Sequence, residues 1–242
     1  FFALCSMAAL REFATITHTG RADHDALAIA FYVILPLQYL LVWLNVPIFA
    51  ALLIPVYCFL LLPVVTVFKG EVAGFLTRVS ETQWGLMVCV YCVSHIPAIL
   101  QLQIPGYRYS SFTLVAWLIL VVQASDVLQY VWGKSLGRHK LAPRVSPSKT
   151  VEGLAGGMLS ASLLGMALAP ITPFGWWQAG LVALVVTTFG FFGGLIMSAI
   201  KRDRGVKDWG TLVQGHGGIL DRLDSLVFSA PVFLHILAWG WL

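Results

Sequence analysis

The chain has 242 residues, of which 59% are hydrophobic and 11% are charged, and its formal net charge is +4. Soluble globular domains have about 25% charged residues. The low charge content therefore excludes a soluble globular domain and indicates a protein built from membrane-spanning helices. The sequence contains neither a Walker-type phosphate loop nor a dinucleotide-binding glycine fingerprint, which excludes these two routes to nucleotide binding.

Apolar runs of about 20 residues predict the membrane-spanning helices. In chain order they cover residues 27–44, 46–68, 84–103, 112–132, 154–169, 179–200 and 225–242, and Phe1–Leu10 has the composition of the end of an eighth. The predicted fold class is an all-α integral membrane protein, with about seven transmembrane helices visible plus the end of an N-terminal one. Because Phe1 is not a start methionine, we also expect a segment upstream of it.

The positive charge lies almost entirely on one side of these predicted helices. The connections 11–25, 69–83, 133–150 and 201–224 contain fourteen of the fifteen Lys and Arg residues, and Arg108 is the exception. The positive-inside rule places those four connections in the cytosol. We treat the chain as a single membrane domain, with N-terminal transmembrane helices at 1–110 and a C-terminal catalytic region at 111–242 that includes the cytosolic loops 133–150 and 201–224.

The first charged loop ends in a run that predicts the start of a helix. Residues 146–152 offer Ser146 or Ser148 as the N-cap, a proline in the first turn and a glutamate behind it. Free amides at a helix start favour an anion, and Lys149 and Arg144 stand beside them. The alternative, which composition leaves equally open, is that these cations only anchor the loop to anionic lipid.

Four aspartates are candidate metal ligands. Asp126 lies about two turns inside an apolar helix, where an unpaired carboxylate costs a few kcal/mol, so it needs a cation or a metal as its partner. Asp221 and Asp224 are three residues apart where a helix re-enters the membrane, and they project from one face. Asp208 precedes them in the same loop. Mg²⁺ prefers a few carboxylates together with waters and phosphate oxygens. The alternative role for Asp221 is a simple helix cap.

The second charged loop also carries glycines and cations. Residues 215–218 read Gly-His-Gly-Gly, which leaves the backbone bare just before the aspartate pair, as in a loop that wraps phosphates. Lys201 and Arg202 complement the dipole at the end of the preceding helix. That structural role is compatible with catalysis, and it does not explain the His-Gly-Gly run or the adjacent Lys207 and Asp208.

At these two loops the chain resembles the membrane-integral phosphatidate cytidylyltransferases, also called CDP-diacylglycerol synthases. The C-terminal motif of that family is S-x-x-K-R-x4-K-D, a short spacer, then H-G-G-x-x-D-R-x-D. It is matched in register by Ser198, Lys201, Arg202, Lys207, Asp208, His216, Gly217, Gly218, Asp221, Arg222 and Asp224. The family's other loop is matched by Ser125, Asp126, Tyr130, Gly133 and the run 143–153. The resemblance extends through residues 110–242, and Arg11-Glu12-Phe13 is similar to a segment near the end of a family helix.

The chain departs from the family pattern at two places. The helix before Ser198 usually carries Gly-Asp-x-x-Glu-Ser, in which the Asp is a metal ligand, whereas this chain has Gly194 and Met197 at the two acidic positions. Val213 and Gln214 also replace the residues usual before the His-Gly-Gly run. These departures indicate a divergent, bacterial-type subgroup with a weakened second cation site.

The resemblance implies a reaction in which CTP and phosphatidate, or a related lipid phosphate, give CDP-diacylglycerol and pyrophosphate. The implied catalytic set is Asp221, Asp208, Lys207, Arg222 and Lys149; the implied Mg²⁺ ligands are Asp221, Asp224, Asp126 and Asp208; the implied phosphate contacts are Arg144, Ser146, Lys149, Thr150, His216, Gly217, Gly218, Lys201 and Arg202. The implied partners are CTP, the lipid phosphate, the bilayer and a second copy of the chain, with no nucleic acid. The implied location is the bacterial inner membrane.

Two other functions stay open at this point. A CTP-dependent polyprenol kinase uses similar phosphate chemistry but transfers the γ-phosphate to an alcohol. A non-catalytic lipid-binding paralogue is the other alternative, because of the missing aspartate at Gly194. A transporter fits less well, since the ionisable residues gather at one surface and not at the middle of the bilayer.

Overall fold

The computed structural model describes residues 1–18, 20, 23–210 and 217–241, and this part of the chain is mostly helical. The helices are α1 (Phe2–Ile16), α2 (His24–Trp43), α3 (Pro47–Val67), α4 (Phe75–Leu100), α5 (Ser111–Leu136), α6 (Val151–Ala167), α7 (Trp176–Asp203) and α8 (Leu220–Trp241). A hairpin of two short strands, β1 (Lys140–Ala142) and β2 (Ser146–Thr150), stands between α5 and α6. A single 3-10 turn follows α6 at Ala169–Ile171.

Six helices within the described ranges are long and apolar enough to cross a membrane, and they are α2, α3, α4, α5, α7 and α8. The predicted all-α membrane class is therefore confirmed. The predicted span at 154–169 corresponds to α6, which is shorter at 17 residues, and Phe1–Leu10 falls in α1, which has 15 residues.

Helix α4 begins at Phe75, well before the apolar run that starts at Trp84. Hydropathy misses its first turns because they carry the charged residue Arg78, which is only 8% exposed. The Nε atom of Arg78 lies 3.1 Å from Oδ1 of Asp23, and its other nitrogens donate to the carbonyl oxygens of residues 71 and 73. The buried charge is thus neutralised and hydrogen-bonded, as a buried cation must be.

Helices α2, α3 and α4 each contain a wider, π-helical turn beside a proline. These turns are Ala30–Ile34 before Pro36, Leu53–Cys58 around Pro55, and Met87–Cys92 before Pro97. Proline has no N–H and its ring pushes against the preceding carbonyl, so a local change of pitch lets the helix continue through it.

The residues form two compact units, residues 1–98 with 208–222 and residues 99–207 with 223–242. In the first unit, α1 packs against the second half of α2 and against α4. In the second unit, α5, α6 and α7 pack on one another, and Trp117 stacks on Phe233 with ring centroids 5.3 Å apart. Helices α5 and α6 lie close together because Gly157 has no side chain; a Cβ there would be 2.3 Å from Cγ of Gln129. The boundary expected at residue 110 stays a prediction.

The predicted helix start at Ser146 or Ser148 is wrong. These residues belong to β2, which pairs antiparallel with β1 in the register Lys140↔Thr150 and Ala142↔Ser146. A residue before proline is driven towards extended backbone, which favours a strand at Ser146. Helix α6 begins only at Val151, and its N-cap is Thr150, whose Oγ1 accepts a hydrogen bond from the Gly153 amide at 3.1 Å.

Candidate functional site

Residues 217–221, which we call the glycine segment, turn the chain into α8 in the first unit. Oδ2 of Asp221 accepts hydrogen bonds from the amides of Trp209 and Gly218, both at 2.9 Å. Gly217 has φ +80°, and a Cβ there would lie 2.7 Å from Oδ2 of Asp221. The carboxylate of Asp221 therefore holds the turn closed, which supports the structural role that sequence reasoning left open for it.

A second carboxylate supports the same segment from α1. Glu12 is only 5% exposed and accepts hydrogen bonds from the amides of Ile219 and Leu220, each at 2.9 Å. A Cβ on Gly218 would lie 2.3 Å from Oε2 of Glu12, and one on Gly210 would lie 2.9 Å from Oε1. Sequence reasoning gave Glu12 no role; the available signal was an acidic residue that follows an apolar run.

Aromatic packing holds the other side of this arrangement. Trp209 is 2% exposed, and its ring stacks on that of Phe13 with centroids 5.4 Å apart and planes 19° from parallel. Phe13 neighbours Glu12 in α1, while Trp209 donates its amide to Asp221. Two neighbouring residues of α1 therefore hold the loop before α8. Phe13 packs against Trp209, and Glu12 accepts the amides of Ile219 and Leu220.

In the second unit, Lys149 lies among two carboxylates and a hydroxyl. We call Asp126, Lys149, Asp224 and Ser225 the lysine cluster. Asp126 accepts a hydrogen bond from the side chain of Ser225, and the Lys149 ammonium interacts with both carboxylates. Oδ1 of Asp224 accepts the Ser225 amide at 2.7 Å. Lys149 Nζ also stands 4.5 Å from the centroid of the Phe191 ring, a cation–π distance.

Gly194 in α7 leaves space beside the lysine cluster. A Cβ on Gly194 would lie 3.3 Å from Lys149 Nζ, 3.4 Å from Ser225 Oγ and 3.7 Å from Asp224 Oδ2. The ammonium group is thus in tight contact with the position that the first side-chain atom of a larger residue at 194 would occupy. A cation in this position partly neutralises two neighbouring carboxylates, which would otherwise repel each other.

The charge of Lys149 is balanced between opposing effects. Burial lowers the pKa of its ammonium from the ordinary value, and the nearby cation Lys201 acts in the same direction. The carboxylates of Asp126 and Asp224 raise that pKa. The residue is therefore a partly buried cation whose protonation depends on its acidic neighbours, unlike the exposed Lys134 and Lys140 of the same loop.

The structure places Asp126, Lys149 and Asp224 together, and it places Gly217, Gly218 and Asp221 together. The side chain of Thr150 faces Gly133, Gly137 and Gly153, each with a Cβ position within 3.0 Å of it, so its hydroxyl serves the helix cap. The other predicted site residues lie on loops or helix ends: Ser146 and Lys201 are half-buried, and Arg144, Arg202, Lys207, Asp208 and Arg222 are exposed. His216, Val213 and Gln214 lie outside the described residues.

The lysine cluster brings together groups that can bind a cation or an anion. In the part of the chain that the structure describes, no three His, Cys, Asp or Glu side chains come together to hold a metal. The paired carboxylates of Asp126 and Asp224 still fit Mg²⁺, which is usually held by one or two carboxylates while water and phosphate oxygens complete its shell. The molecule is therefore a helical membrane protein in which a lysine ammonium and two carboxylates lie together in one cluster.

Comparison with known sequences narrows this class to one family. The chain matches the Cytidylyltransferase family over residues 1–239 and belongs to that family. The family predicted from the two loop motifs is thereby confirmed.

Two kinds of relative illustrate this membership. The chain is 41% identical over 242 residues to the uncharacterized protein YnbB of Escherichia coli K12, covering 99% of this chain and 78% of YnbB. It is 34% identical over 165 residues to phosphatidate cytidylyltransferase of Staphylococcus saprophyticus, and 35% identical over 171 residues to that of Staphylococcus epidermidis. Each of these two matches covers 66% of this chain and 63% of the relative, so the chain spans less than two thirds of their length.

Proposed function

We propose that the protein transfers the cytidylyl group of CTP to phosphatidate or a related lipid phosphate, giving CDP-diacylglycerol and pyrophosphate. The observation that carries this proposal is the lysine cluster, in which a partly buried ammonium and two carboxylates meet beside a basic hairpin. Family membership and the similarity to phosphatidate cytidylyltransferases support it. The match to the family does not favour the polyprenol kinase alternative.

The chemistry is a single in-line displacement. An oxygen of the lipid phosphate forms a bond to the α-phosphorus of CTP, and the bond from that phosphorus to the oxygen bridging to the β-phosphorus breaks. The electron pair leaves with pyrophosphate. Since no covalent bond to the protein is needed, the residues act by positioning the two phosphates and by neutralising their charge.

The cationic side chains would provide the neutralisation. Lys149 is the partly buried cation of the first loop, and we assign it to the triphosphate. The more exposed cations have the reach to bind phosphate oxygens as the substrates arrive, and they are Arg144, Lys201, Arg202, Lys207 and Arg222. Ser146 would donate a hydrogen bond to a phosphate oxygen, and Gly217 and His216 remain further candidates from the sequence. The Gly218 amide already donates to Asp221, so it is not assigned to phosphate.

Mg²⁺ is the implied cofactor, and Asp126 and Asp224 are the residues that would hold it. When bound, it would withdraw charge from the triphosphate oxygens and favour the departure of pyrophosphate. Asp221 and Asp208 stay predicted ligands. Of the two, Asp221 already uses Oδ2 for two backbone amides, so its main task in this proposal is to keep the glycine segment in shape.

We place the protein in a bacterial inner membrane with the hairpin loop and the 201–224 loop in the cytosol, where CTP is available. The asymmetry of the Lys and Arg residues supports this orientation. A homodimer stays a prediction from the family resemblance.

The test is a pyrophosphate-release assay on purified protein with CTP, Mg²⁺ and a panel of lipid phosphates. CTP labelled at the α-phosphate should pass its label to the lipid, whereas label at the γ-phosphate should appear in pyrophosphate. Transfer of the γ-label to lipid would instead indicate a kinase. Absence of pyrophosphate with every lipid phosphate would favour the non-catalytic lipid-binding alternative.

A further inference from the structure

Glu12 connects two parts of the chain that are more than 200 residues apart in sequence. Its carboxylate accepts the Ile219 amide through Oε1 and the Leu220 amide through Oε2, each at 2.9 Å. These are among the first amides of α8, which the helix itself leaves without an acceptor. Glu12 therefore does for α8 what an N-cap residue normally does, but from another helix.

The chemistry of this contact requires an ionised carboxylate. Each oxygen of Glu12 receives one amide proton, so both act as acceptors at the same time. The positive end of the α8 dipole adds to the stabilisation of a negative charge at this position. A glutamine offers one acceptor oxygen, and its NH₂ group would face the second amide donor, so one of the two bonds would be lost.

Sterics fix the position of the segment as closely as the hydrogen bonds do. Gly218 and Gly210 approach the Glu12 carboxylate so closely that a Cβ on either would fall within 2.9 Å of it. Close contact at both glycines and two hydrogen bonds at the following amides leave the glycine segment little freedom to shift. Asp221, which follows Leu220 directly, receives its orientation from the same turn.

We propose that Glu12 is a positioning residue, which holds the glycine segment and the carboxylate of Asp221 in the arrangement needed for the proposed reaction. What the segment binds rests on the function proposed above. The positioning itself rests on the two hydrogen bonds and the two glycine contacts. Glu12 touches backbone amides in this account, and it does not touch the substrate.

Amide hydrogen exchange tests the positioning directly. Glu12→Gln should speed the exchange of the Ile219 and Leu220 amides by about tenfold or more, because a hydrogen bond to a charged acceptor is lost or weakened. Exchange within α5, α6 and α7 should stay unchanged. The control is Glu71→Gln, which neutralises an exposed glutamate near Arg78 and should leave Ile219 and Leu220 as in the wild type. Unchanged exchange in Glu12→Gln would overturn the proposal.

Steady-state kinetics, normalised to folded protein, separates positioning from a purely structural contact. We expect Glu12→Gln to lower kcat for pyrophosphate release by about tenfold, with a smaller change in KM for CTP, since a misplaced segment stabilises the transition state less well. Faster exchange at Ile219 and Leu220 with a wild-type kcat would overturn the positioning role.

A milder variant keeps the test informative if Glu12→Gln does not fold. Gly210→Ala keeps the carboxylate but adds a methyl group 2.9 Å from Oε1, so it should give smaller changes in the same direction in both exchange and kcat. Wild-type behaviour in both measurements would count against the proposal. If the wild-type protein released no pyrophosphate, the proposed function would fail on its own, and hydrogen exchange would still decide whether Glu12 holds the segment.

Discussion

The glycine segment and the lysine cluster both contain buried or half-buried carboxylates, but they satisfy them in opposite ways. Around the glycine segment, Glu12 and Asp221 accept hydrogen bonds from backbone amides of the loop they support. In the lysine cluster, Asp126 and Asp224 meet the Ser225 hydroxyl and the ammonium of Lys149, and Asp224 also accepts the backbone amide of Ser225, next to it in the chain. Hydrogen bonds to amides fix the course of the backbone, whereas a lysine ammonium can move and leave its carboxylates to another cation.

This difference assigns separate tasks to the two regions. Carboxylates bonded to amides contribute to the shape of the loop, and their removal should be visible in stability and local exchange. Carboxylates that face a side-chain cation are suited to binding, and their removal should be visible in rate. Asp221 and Asp224 both lie in α8, so substituting each in turn compares the two kinds of carboxylate within one helix.

The largest effect is expected for Asp224→Asn. Loss of one of two proposed Mg²⁺ ligands should lower the rate of pyrophosphate release by about 100-fold or more. Stability should not fall, because the change removes one of two neighbouring negative charges. Asp203→Asn, at an exposed carboxylate of α7, is the matched control and should remain fully active. A variant at position 224 with more than about a tenth of the wild-type rate, a barrier change of about 1.4 kcal/mol, would refute the ligand assignment.

Asp221→Asn provides the contrast within α8. Because Oδ2 of Asp221 holds the amides of Trp209 and Gly218, we expect a lower melting temperature and faster exchange at both amides, which Asp224→Asn should not show. The rate should fall less than for Asp224→Asn, by about tenfold, as is typical when the support of a site is altered. Thermal unfolding and hydrogen exchange, measured on both variants in the same detergent, check this. Identical profiles for the two variants would remove the distinction between the regions.

Lys149→Ala tests whether the cation of the lysine cluster acts on substrate. We expect a higher CTP requirement or a rate reduced by about tenfold, together with normal membrane insertion, because a partly buried charge next to the site is lost. Lys140→Ala, on the exposed strand β1, should have a smaller effect, since a surface cation contributes about 1 kcal/mol of attraction to the membrane. Equal small effects from both substitutions would support lipid anchoring for the whole loop.

Gly194→Asp tests what a third carboxylate next to Lys149 does to cation binding. A carboxylate there would compete with Asp224 for the ammonium and offer an additional cation ligand. Two charges about 4 Å apart interact by about 1 kcal/mol in water and more strongly in protein, so the Mg²⁺ concentration for half-maximal rate should change by severalfold. A response to added K⁺ should also appear or steepen. Gly194→Ala adds the Cβ without charge and should show neither change. A strong K⁺ dependence in the wild-type protein would contradict this account.

Cysteine labelling tests the orientation and should leave activity nearly unchanged. In a background without the four native cysteines, Ser148→Cys and Asp203→Cys should react with an impermeant thiol reagent from the cytosolic side only. Gln103→Cys should react from the opposite side. Position 210 is unsuitable, because a side chain there would meet Glu12. Reaction of residues 148 and 203 from different sides would separate the two charged loops and refute the proposed site.

The sequence predicted the helices well because apolar runs report directly on membrane burial. It predicted a cation or metal partner for Asp126 because a lone charge in an apolar helix needs one, and Lys149 lies close enough to act on that carboxylate. It failed where a contact outside the local run of residues decides the structure. The start of α6 depends on pairing between β1 and β2, and the start of α4 depends on the partner that Arg78 finds in Asp23. The role of Glu12 could not be predicted for the same reason, since its two amide partners lie 207 and 208 residues away.

That distance affects how the protein is made. Ribosomes add about 5–20 residues per second, so Glu12 is synthesised about 10 to 40 s before Ile219, from which it is separated by 207 residues. Throughout this interval the nascent helix α1 carries an acidic group without its final donor partners, and it cannot dock as it does in the finished protein. A chain that stops short of residue 219 retains this defect permanently. The Glu12 contact thereby marks completed chains, and truncated ones should be unstable in the membrane and open to proteolysis.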